Sequence, residues 1–173
     1  MTNPKLSSLL AIVSFVALSL VSCDNLSCPL ENTVESVYGF YATSRTANGT
    51  FEPGAAISIG DTLTIYAANR DTILANRLIG KSSVSLPVSY YADVDTLLFV
   101  FSDADGRSTS DLVYIHKRNI HHWDAPSCPV HLWHEVTAVA STHNLIDTIL
   151  ISNPHINYDG NENFQIYFYT NLE

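Results

Sequence analysis

Alternating apolar and polar positions, together with short apolar runs, mark seven segments of the chain as β-strands. The segments are 33–43, 56–68, 95–102, 110–117, 135–141, 146–152 and 163–170. β-Branched and aromatic side chains are prominent in them, which favours extended backbone. No segment keeps a period of 3.6 residues over the ten or more positions that a helix would occupy. The pattern predicts an all-β chain.

Tight-turn signals separate several of these segments. Asn48-Gly49, Asp105-Gly106 and Asp159-Gly160 are pairs that tolerate the positive φ of hairpin turns. The apolar run at 96–101, TLLFVF, is typical of a strand at the core of a sandwich. We predict a single antiparallel β-sandwich of seven to nine strands, with an immunoglobulin-like arrangement as one form of it. Residues 119–133 would form a long crossover pinned by a disulfide.

The first 22 residues have a different pattern. After Lys5 the chain is apolar and rich in serine, with no charge before Asp24. This stretch is too short and too polar for a membrane-spanning helix, but it fits the apolar part of a secretory signal. It ends in LVSC at 20–23, which resembles the lipobox of bacterial lipoproteins. The resemblance implies cleavage before Cys23 and a lipid on its thiol; an ordinary signal peptide with a chance cysteine is the alternative.

These boundaries divide the chain into three parts. We expect a cleaved lipoprotein signal peptide over 1–22, a lipidated cysteine with a short tether over 23–32, and the β-sandwich over 33–173. Two or more acyl chains hold a protein stably to a bilayer, whereas one holds it only marginally. The expected location is therefore the cell envelope, with the chain lipid-anchored to the periplasmic face or the surface of an outer membrane.

The other two cysteines form an even pair once Cys23 is lipidated. Cys28 and Cys128 both lie in a Ser-Cys-Pro frame, and the proline favours extended backbone at the cysteine before it. Disulfides persist in an oxidising compartment. We therefore predict a Cys28–Cys128 bridge, for which the chain-entropy model gives at most ~4.7 kcal/mol. Two reduced, buried thiols are the alternative.

Composition narrows the possible partners. Hydrophobic residues make up 46% of the chain and charged residues 14%, which suits a globular β protein. The net charge is −9, and the Lys and Arg residues do not cluster, so we expect no nucleic acid partner. The chain lacks a nucleophile elbow, a His-Glu-x-x-His pair and a phosphate-binding glycine loop. We accordingly expect neither catalysis nor a cofactor.

The tripeptide Asp-Thr-Leu/Ile occurs four times, with its threonines at Thr62, Thr72, Thr96 and Thr148. It resembles the sequon of a general bacterial O-glycosylation system, in which the middle hydroxyl carries the glycan. The structural alternative is that Asp ends a turn and the β-branched Thr starts a strand. The two interpretations are compatible, because a threonine at a strand start is often exposed.

Histidines and tryptophans crowd residues 116–135. Imidazole suits zinc, copper or nickel, but the spacing matches no zinc signature, so we predict no metal site. The candidate ligand-binding side chains are Trp123, Trp133, His121 and His122. If exposed, the two tryptophans would form a platform for a sugar. The favoured alternative is that both are buried against the disulfide.

The lipobox, the CPLE at 28–31 and the ending IDTILISNPHINYDGNENFQIYFYT at 146–170 resemble a family of small uncharacterised Bacteroidales lipoproteins. The resemblance implies an exported lipoprotein with a β-rich domain and no known activity. We expect a non-catalytic interaction or structural module with an envelope protein partner. The alternative is a lipoprotein that binds a glycan or a metal through 119–135, and a third possibility is an enzyme without a sequence signature.

Overall fold

A computed structural model describes Cys28, residues 34–68 and residues 70–169. The predicted signal peptide, Cys23 and the rest of the tether lie outside these residues. The described strands are β1 (Glu35–Arg45), β2 (Phe51–Ala56), β3 (Thr62–Ala67), β4 (Thr72–Leu78), β5 (Ser83–Pro87), β6 (Val94–Ser102), β7 (Ser108–His122), β8 (His131–Ser141), β9 (Ile146–Ile151), β10 (His155–Ile156) and β11 (Glu162–Phe168). None of the described residues lies in a helix, and accordingly no helix suited to crossing a membrane is found among them.

The strands form two sheets. In the first the order is β2–β1–β11–β9, and β5 shares with β2 one edge of β1. In the second the order is β10–β8–β7–β6–β3–β4. Strands β6, β7 and β8 are consecutive antiparallel neighbours, so the second sheet is built largely from hairpins. The one parallel pair among the described strands joins β1 to β11.

Alternate side chains of both sheets meet in one apolar core. In β6 the buried positions are Leu97, Phe99 and Phe101. Phe101 meets Phe168 of the opposite sheet edge-to-face, with 5.5 Å between the ring centroids. Burying a side chain of this size stabilises the fold by roughly 1.5–3 kcal/mol. The inward aromatic positions therefore hold the two sheets together.

The all-β sandwich predicted from the pattern is confirmed, but its details differ. The described part of the chain has eleven strands instead of seven to nine. Its sheets have five and six strands, unlike the four and three of an immunoglobulin constant-type sandwich. The parallel pairing of β1 with β11 joins segments far apart in sequence, which a local pattern does not reveal.

The predicted crossover over 119–133 is wrong. β7 continues to His122 and β8 begins at His131, so this segment is the end of a long hairpin with a loop at 123–130. The reason is that β7 turns polar side chains inward at this end. Lys117 and Asn119 follow Val113 and Ile115 at the same period of two, and this interrupts the apolar alternation by which strands are recognised.

The segment 103–111 forms the turn that Asp105-Gly106 predicts. Asp103 Oδ1 accepts hydrogen bonds from the backbone nitrogens of Asp105 and Arg107, both at 2.9 Å. Gly106 has φ 81°, which a residue with a side chain rarely adopts. The carboxylate of Asp103 therefore closes a hairpin between β6 and β7.

Candidate functional site

The end of the β7–β8 hairpin carries aromatic and imidazole rings on one face. The register pairs His122 with His131 and Ile120 with Trp133, and residues directly opposite share a face. His122 stacks on Trp133 with 3.5 Å between ring centroids. Tyr158 meets Trp133 edge-on at 6.1 Å. The position of the Trp133 ring is thus set by neighbours on two sides.

The four candidate ligand-binding side chains do not form one platform. His121 stacks near Trp123 at 6.2 Å, whereas His122 stacks on Trp133. Successive residues of a strand point to opposite faces, so the two pairs are separated by the sheet. Trp123 is 58% exposed, which makes its predicted burial wrong. Trp133 is partly buried, as predicted, but it packs against the hydrophobic core, and its contact with the disulfide stays a prediction.

Two histidines approach the carboxylate of Asp124 at the hairpin loop. The Nε2 atoms of His122 and His131 each lie 3.3 Å from one of its oxygens. Within the described ranges, however, no three His, Cys, Asp or Glu side chains are arranged to hold a metal ion. The three side chains face one another across the loop at 123–130, with one histidine at each end of it.

A disulfide fixes the same loop to the N-terminal segment. It joins Cys28 to Cys128, which are 100 positions apart, with 5.5 Å between their Cα atoms. This is the pair that the cysteine count predicts. Cys128 is buried, and its backbone nitrogen donates to the carbonyl of Ala125. The hairpin end is therefore tied covalently to the residues that follow the predicted anchor.

A buried ammonium group lies on the opposite face of this hairpin end. Lys117 Nζ donates to the carbonyl oxygens of Ser89 and Ala92 at 2.7 and 2.6 Å, and to Asn119 Oδ1 at 2.9 Å. Asp95 Oδ2 is 3.9 Å away. Burial lowers the pKa of Lys117, and the nearby carboxylate of Asp95 opposes that shift. The carbonyl groups belong to the loop between β5 and β6, which Lys117 therefore holds against β7.

The network continues from Lys117 to His134. Asn119 Oδ1 lies 2.8 Å from His134 Nδ1 and already accepts from Lys117. A carbonyl oxygen only accepts, so His134 Nδ1 carries the proton. Burial and the positive charge of Lys117 lower the pKa of His134 to about 4, so the ring is neutral at pH 7. Its Nε2 is then a buried acceptor, and it has no hydrogen-bond partner among the described residues.

His134 lines a cleft of about 200 Å³ between β8 and β10. The same cleft is also lined by Ile120, Trp133, His155, Asn157 and Asp159. The short strand β10 forms one wall, because Ile156 pairs with His134 in register. Asn163 fixes this wall by donating to the backbone oxygens of Asn153 and His155.

A larger cleft of about 380 Å³ lies at the other side of the network. Its walls include Arg70, Leu74, Val88 and Leu97, and Asp95 also lines it. Asp95 accepts from the hydroxyl of Ser89 and faces Lys117. The chain of polar groups from Lys117 through Asn119 to His134 therefore begins beside Asp95, at the wall of the larger cleft.

A family comparison covers the part of the chain that builds both clefts. Residues 62–168 match a family of unknown function, DUF6452. The chain belongs to this family. No curated protein and no solved structure matches it significantly. The matched segment runs from the first residue of β3 to the last residue of β11, so it contains the whole Lys117–His134 network.

In this DUF6452 protein the four candidate threonines occupy different environments. Thr62 and Thr72 are the first residues of β3 and β4, while Thr96 and Thr148 lie two residues inside β6 and β9. Thr72 is exposed and the other three are partly buried. The hydroxyl of Thr72 donates a hydrogen bond to the backbone carbonyl of Arg70. Glycosylation stays a prediction, with Thr72 as its most accessible site.

The aspartates of two of these tripeptides have structural partners. Asp95 accepts from Ser89, as described above. Asp147 accepts from the hydroxyl of Thr43 at 2.9 Å and pairs with Arg45 at 2.6 Å. Both lie inside strands, so the expectation that Asp ends a turn and Thr starts a strand holds for Asp61 and Asp71 but is wrong for Asp95 and Asp147.

Sequence reasoning overlooked Lys117 and Asn119 in the DUF6452 protein. The signal was present, since both residues continue the inward positions of Val113 and Ile115 in β7. It could have been recognised by extending the period of two beyond the last apolar residue. Tyr158, which contacts Trp133, was also missed, and no pattern near it pointed to that contact.

Proposed function

We propose that this DUF6452 protein is a lipid-anchored envelope protein whose sandwich serves as a non-catalytic interaction or structural module. It would be a Bacteroidales lipoprotein on the periplasmic face or the surface of the outer membrane. The lipobox-like LVSC at 20–23 supports the anchor. The disulfide between Cys28 and Cys128 is the observation that carries the proposal, because such bridges persist in exported proteins.

The disulfide also constrains how the domain would sit on its membrane. Cys28 follows Cys23 by five residues, and extended chain spans about 3.4 Å per residue. A lipidated Cys23 would therefore lie within about 17 Å of the bridge. Because Cys128 is in the loop at 123–130, the hairpin end would face the bilayer. A partner protein would then bind this domain close to the membrane surface.

Substitution of Cys23 tests the anchor. We expect the wild-type chain in the membrane fraction, starting at Cys23 and carrying the mass of its acyl chains. Cys23→Ser should be uncleaved and carry no acyl mass, whereas Cys28→Ser should be cleaved and acylated like the wild type. Cleavage of Cys23→Ser before residue 23 would contradict the proposal.

Crosslinking of the native protein in its own membrane tests the module. We expect a protein partner to co-purify in stoichiometric amount, identified by mass spectrometry. Recovery of the protein with lipid alone would argue against an interaction module.

A second function, ligand binding, is favoured by one observation. It is the cleft of about 200 Å³ beside β10, whose lining combines the apolar Ile120 and Trp133 with the polar Asn157 and Asp159. Ligand sites commonly join apolar walls to a few polar groups that fix orientation. Of the glycan and the metal considered above, the glycan is better supported, since a metal would need converging ligands.

A further inference from the structure

We propose that the end of the β7–β8 hairpin contacts the lipid surface directly, with Trp123 and Val130 inserted among the lipid headgroups. The inference rests on the proposed lipid anchor and goes beyond it, because an anchor alone keeps a domain near a bilayer without any contact by the fold. It makes the loop at 123–130 a membrane-binding site.

Exposed apolar side chains are concentrated at this end of the molecule. Ten large hydrophobic side chains are exposed among the described residues, and four of them lie here: Ile120, Trp123, Val130 and Tyr158. Trp123 is 58% exposed and Val130 is 44% exposed. Single exposed apolar residues are ordinary, whereas a group of them marks a site that contacts a protein or a membrane.

The register of the hairpin brings these side chains together. The last pair in the ladder of β7 and β8 is His122 with His131. Trp123 and Val130 follow this pair on its two sides, so they lie opposite each other where the loop begins and ends. Tyr158 meets the ring of His131 edge-on, with 5.8 Å between the ring centroids. The exposed side chains therefore lie around the tip of the hairpin.

The length of the tether identifies the lipid surface as the occupant of this site. The chain from Cys23 to Cys28 spans at most about 17 Å. The disulfide holds Cys28 beside Cys128, from which Trp123 is five residues away and Val130 two. A lipid on Cys23 would therefore keep both side chains close to the bilayer. Because the anchor makes the contact intramolecular, a weak apolar contact is enough to hold the loop on the membrane.

The composition of the loop suits the boundary between lipid and water. Trp and Tyr are enriched at this boundary, because their rings are apolar and carry one polar group. Asp124 is the one charged residue in the sequence of the loop, and its oxygens lie 3.3 Å from the imidazoles of His122 and His131. The loop contains no Lys or Arg. The contact therefore depends on apolar burial and requires no anionic lipid.

Quenching of tryptophan emission by bromine in the acyl chains measures the contact. The native acylated protein would be purified from its membrane and reconstituted into phosphatidylcholine vesicles whose acyl chains are either ordinary or brominated. We expect the brominated vesicles to quench the emission of the wild-type protein. Most of this quenching should be lost in Trp123→Phe, which leaves Trp133, on the other face of the hairpin, as the one indole.

Two variants that introduce a carboxylate locate the contact. Val130→Asp places a charge beside Trp123 and should remove most of the quenching, because the charge is costly to bury among lipids. Ile73→Asp is the matched control. Ile73 is similarly exposed, at 50%, but it lies on β4, the strand at the far edge of the second sheet. Its quenching should equal that of the wild type.

Two results would overturn the inference while the anchor stands, as shown by flotation with the vesicles and by the acyl mass. The first is equal quenching in the wild type and in Trp123→Phe, which would leave the hairpin end open to a protein partner. The second is equal quenching in Val130→Asp and Ile73→Asp. A protein without acyl chains would instead refute the anchor, and the inference with it, so the mass distinguishes the two failures.

Discussion

Strand β7 carries two buried charged residues, Asp111 and Lys117, and they differ in what surrounds them. Asp111 is 0% exposed and Lys117 is 3% exposed. Each is hydrogen-bonded to a loop that carries the chain from one sheet to the other. Asp111 holds the loop between β8 and β9, and Lys117 holds the loop between β5 and β6. Both charges thus fix the relative position of the two sheets.

The network of Asp111 is closed. Its two oxygens accept from the hydroxyl of Thr142 and from the backbone nitrogens of Asn144, Leu145 and Ile146, at 2.7–3.0 Å. All four donors are neutral and belong to one short segment. Hydrogen bonds to a charged group contribute about 1.5–3 kcal/mol each, which is more than a neutral pair gives. This network stabilises the loop between β8 and β9.

The network of Lys117 is open. It passes through Asn119 to His134 and ends at a buried nitrogen that has no partner within the described residues. Asp95, at the other end of the network, lines the cleft of about 380 Å³. A satisfied buried network rigidifies a fold, and an incomplete one costs stability. The two networks therefore differ in completeness: every donor around Asp111 has its acceptor, whereas the Lys117 network ends at an unpaired nitrogen among the described residues.

The largest loss of stability is expected when the buried carboxylate of Asp111 is removed. Asp111→Ala leaves three backbone donors and a hydroxyl without their acceptor. We expect the free energy of unfolding to fall by about 3–5 kcal/mol, measured by urea denaturation. Asp105→Ala, at an exposed carboxylate, should change it by less than about 0.5 kcal/mol. A small loss for Asp111→Ala would show that water replaces the carboxylate and that the network is not buried in solution.

Removal of the buried ammonium group should have a smaller effect. Lys117→Met leaves the carbonyls of Ser89 and Ala92 unpaired, but it also removes the cost of burying a charge. We expect a loss of about 2 kcal/mol, against little change for the exposed Lys81→Met. The pKa of His134, followed by NMR, should rise from about 4, because Lys117 contributes to lowering it. If the pKa of His134 were unchanged in Lys117→Met, Lys117 would not be one of the groups that lower it.

The comparison also shows what the sequence could predict. The strands were recognisable from alternating apolar residues, and the Cys28–Cys128 pair from the number of cysteines. Asp111 and Lys117 were not recognised as buried. Each is a polar residue at an inward position of β7, where pattern reasoning expects an apolar one.

The clefts were beyond sequence reasoning for a different reason. The 200 Å³ cleft depends on β10, a strand of two residues, lying beside β8. Asn163 positions it from β11, through bonds across eight to ten positions of sequence. Periodicity does not register so short a strand or a side chain that hydrogen-bonds backbone in another element.

Acid should lower the free energy of unfolding, because it protonates His134 at the end of the Lys117 network. His134 has a pKa of about 4 when folded and an ordinary value of 6.5 when unfolded. Its contribution is therefore complete above pH 6.5 and is lost as the pH falls toward 4, because the unfolded chain binds the proton more readily. Between pH 7 and pH 4.5 we expect a loss of about 2 kcal/mol. His134→Gln should lose less over the same interval, and parallel curves would contradict the assignment.

The smallest loss of stability is expected when the hydroxyl of Thr142, at the exposed edge of the Asp111 network, is removed. The hydroxyl of Thr142 donates to Asp111 and accepts from the backbone nitrogen of Leu112 at 3.0 Å. Thr142→Val removes both bonds, but the carboxylate keeps its three backbone donors and the exposed rim admits water. We expect a loss of about 1 kcal/mol in urea denaturation, largely restored in Thr142→Ser. A loss as large as that of Asp111→Ala would mean that the hydroxyl, and not the peptide groups of the loop, holds this end of the sandwich together.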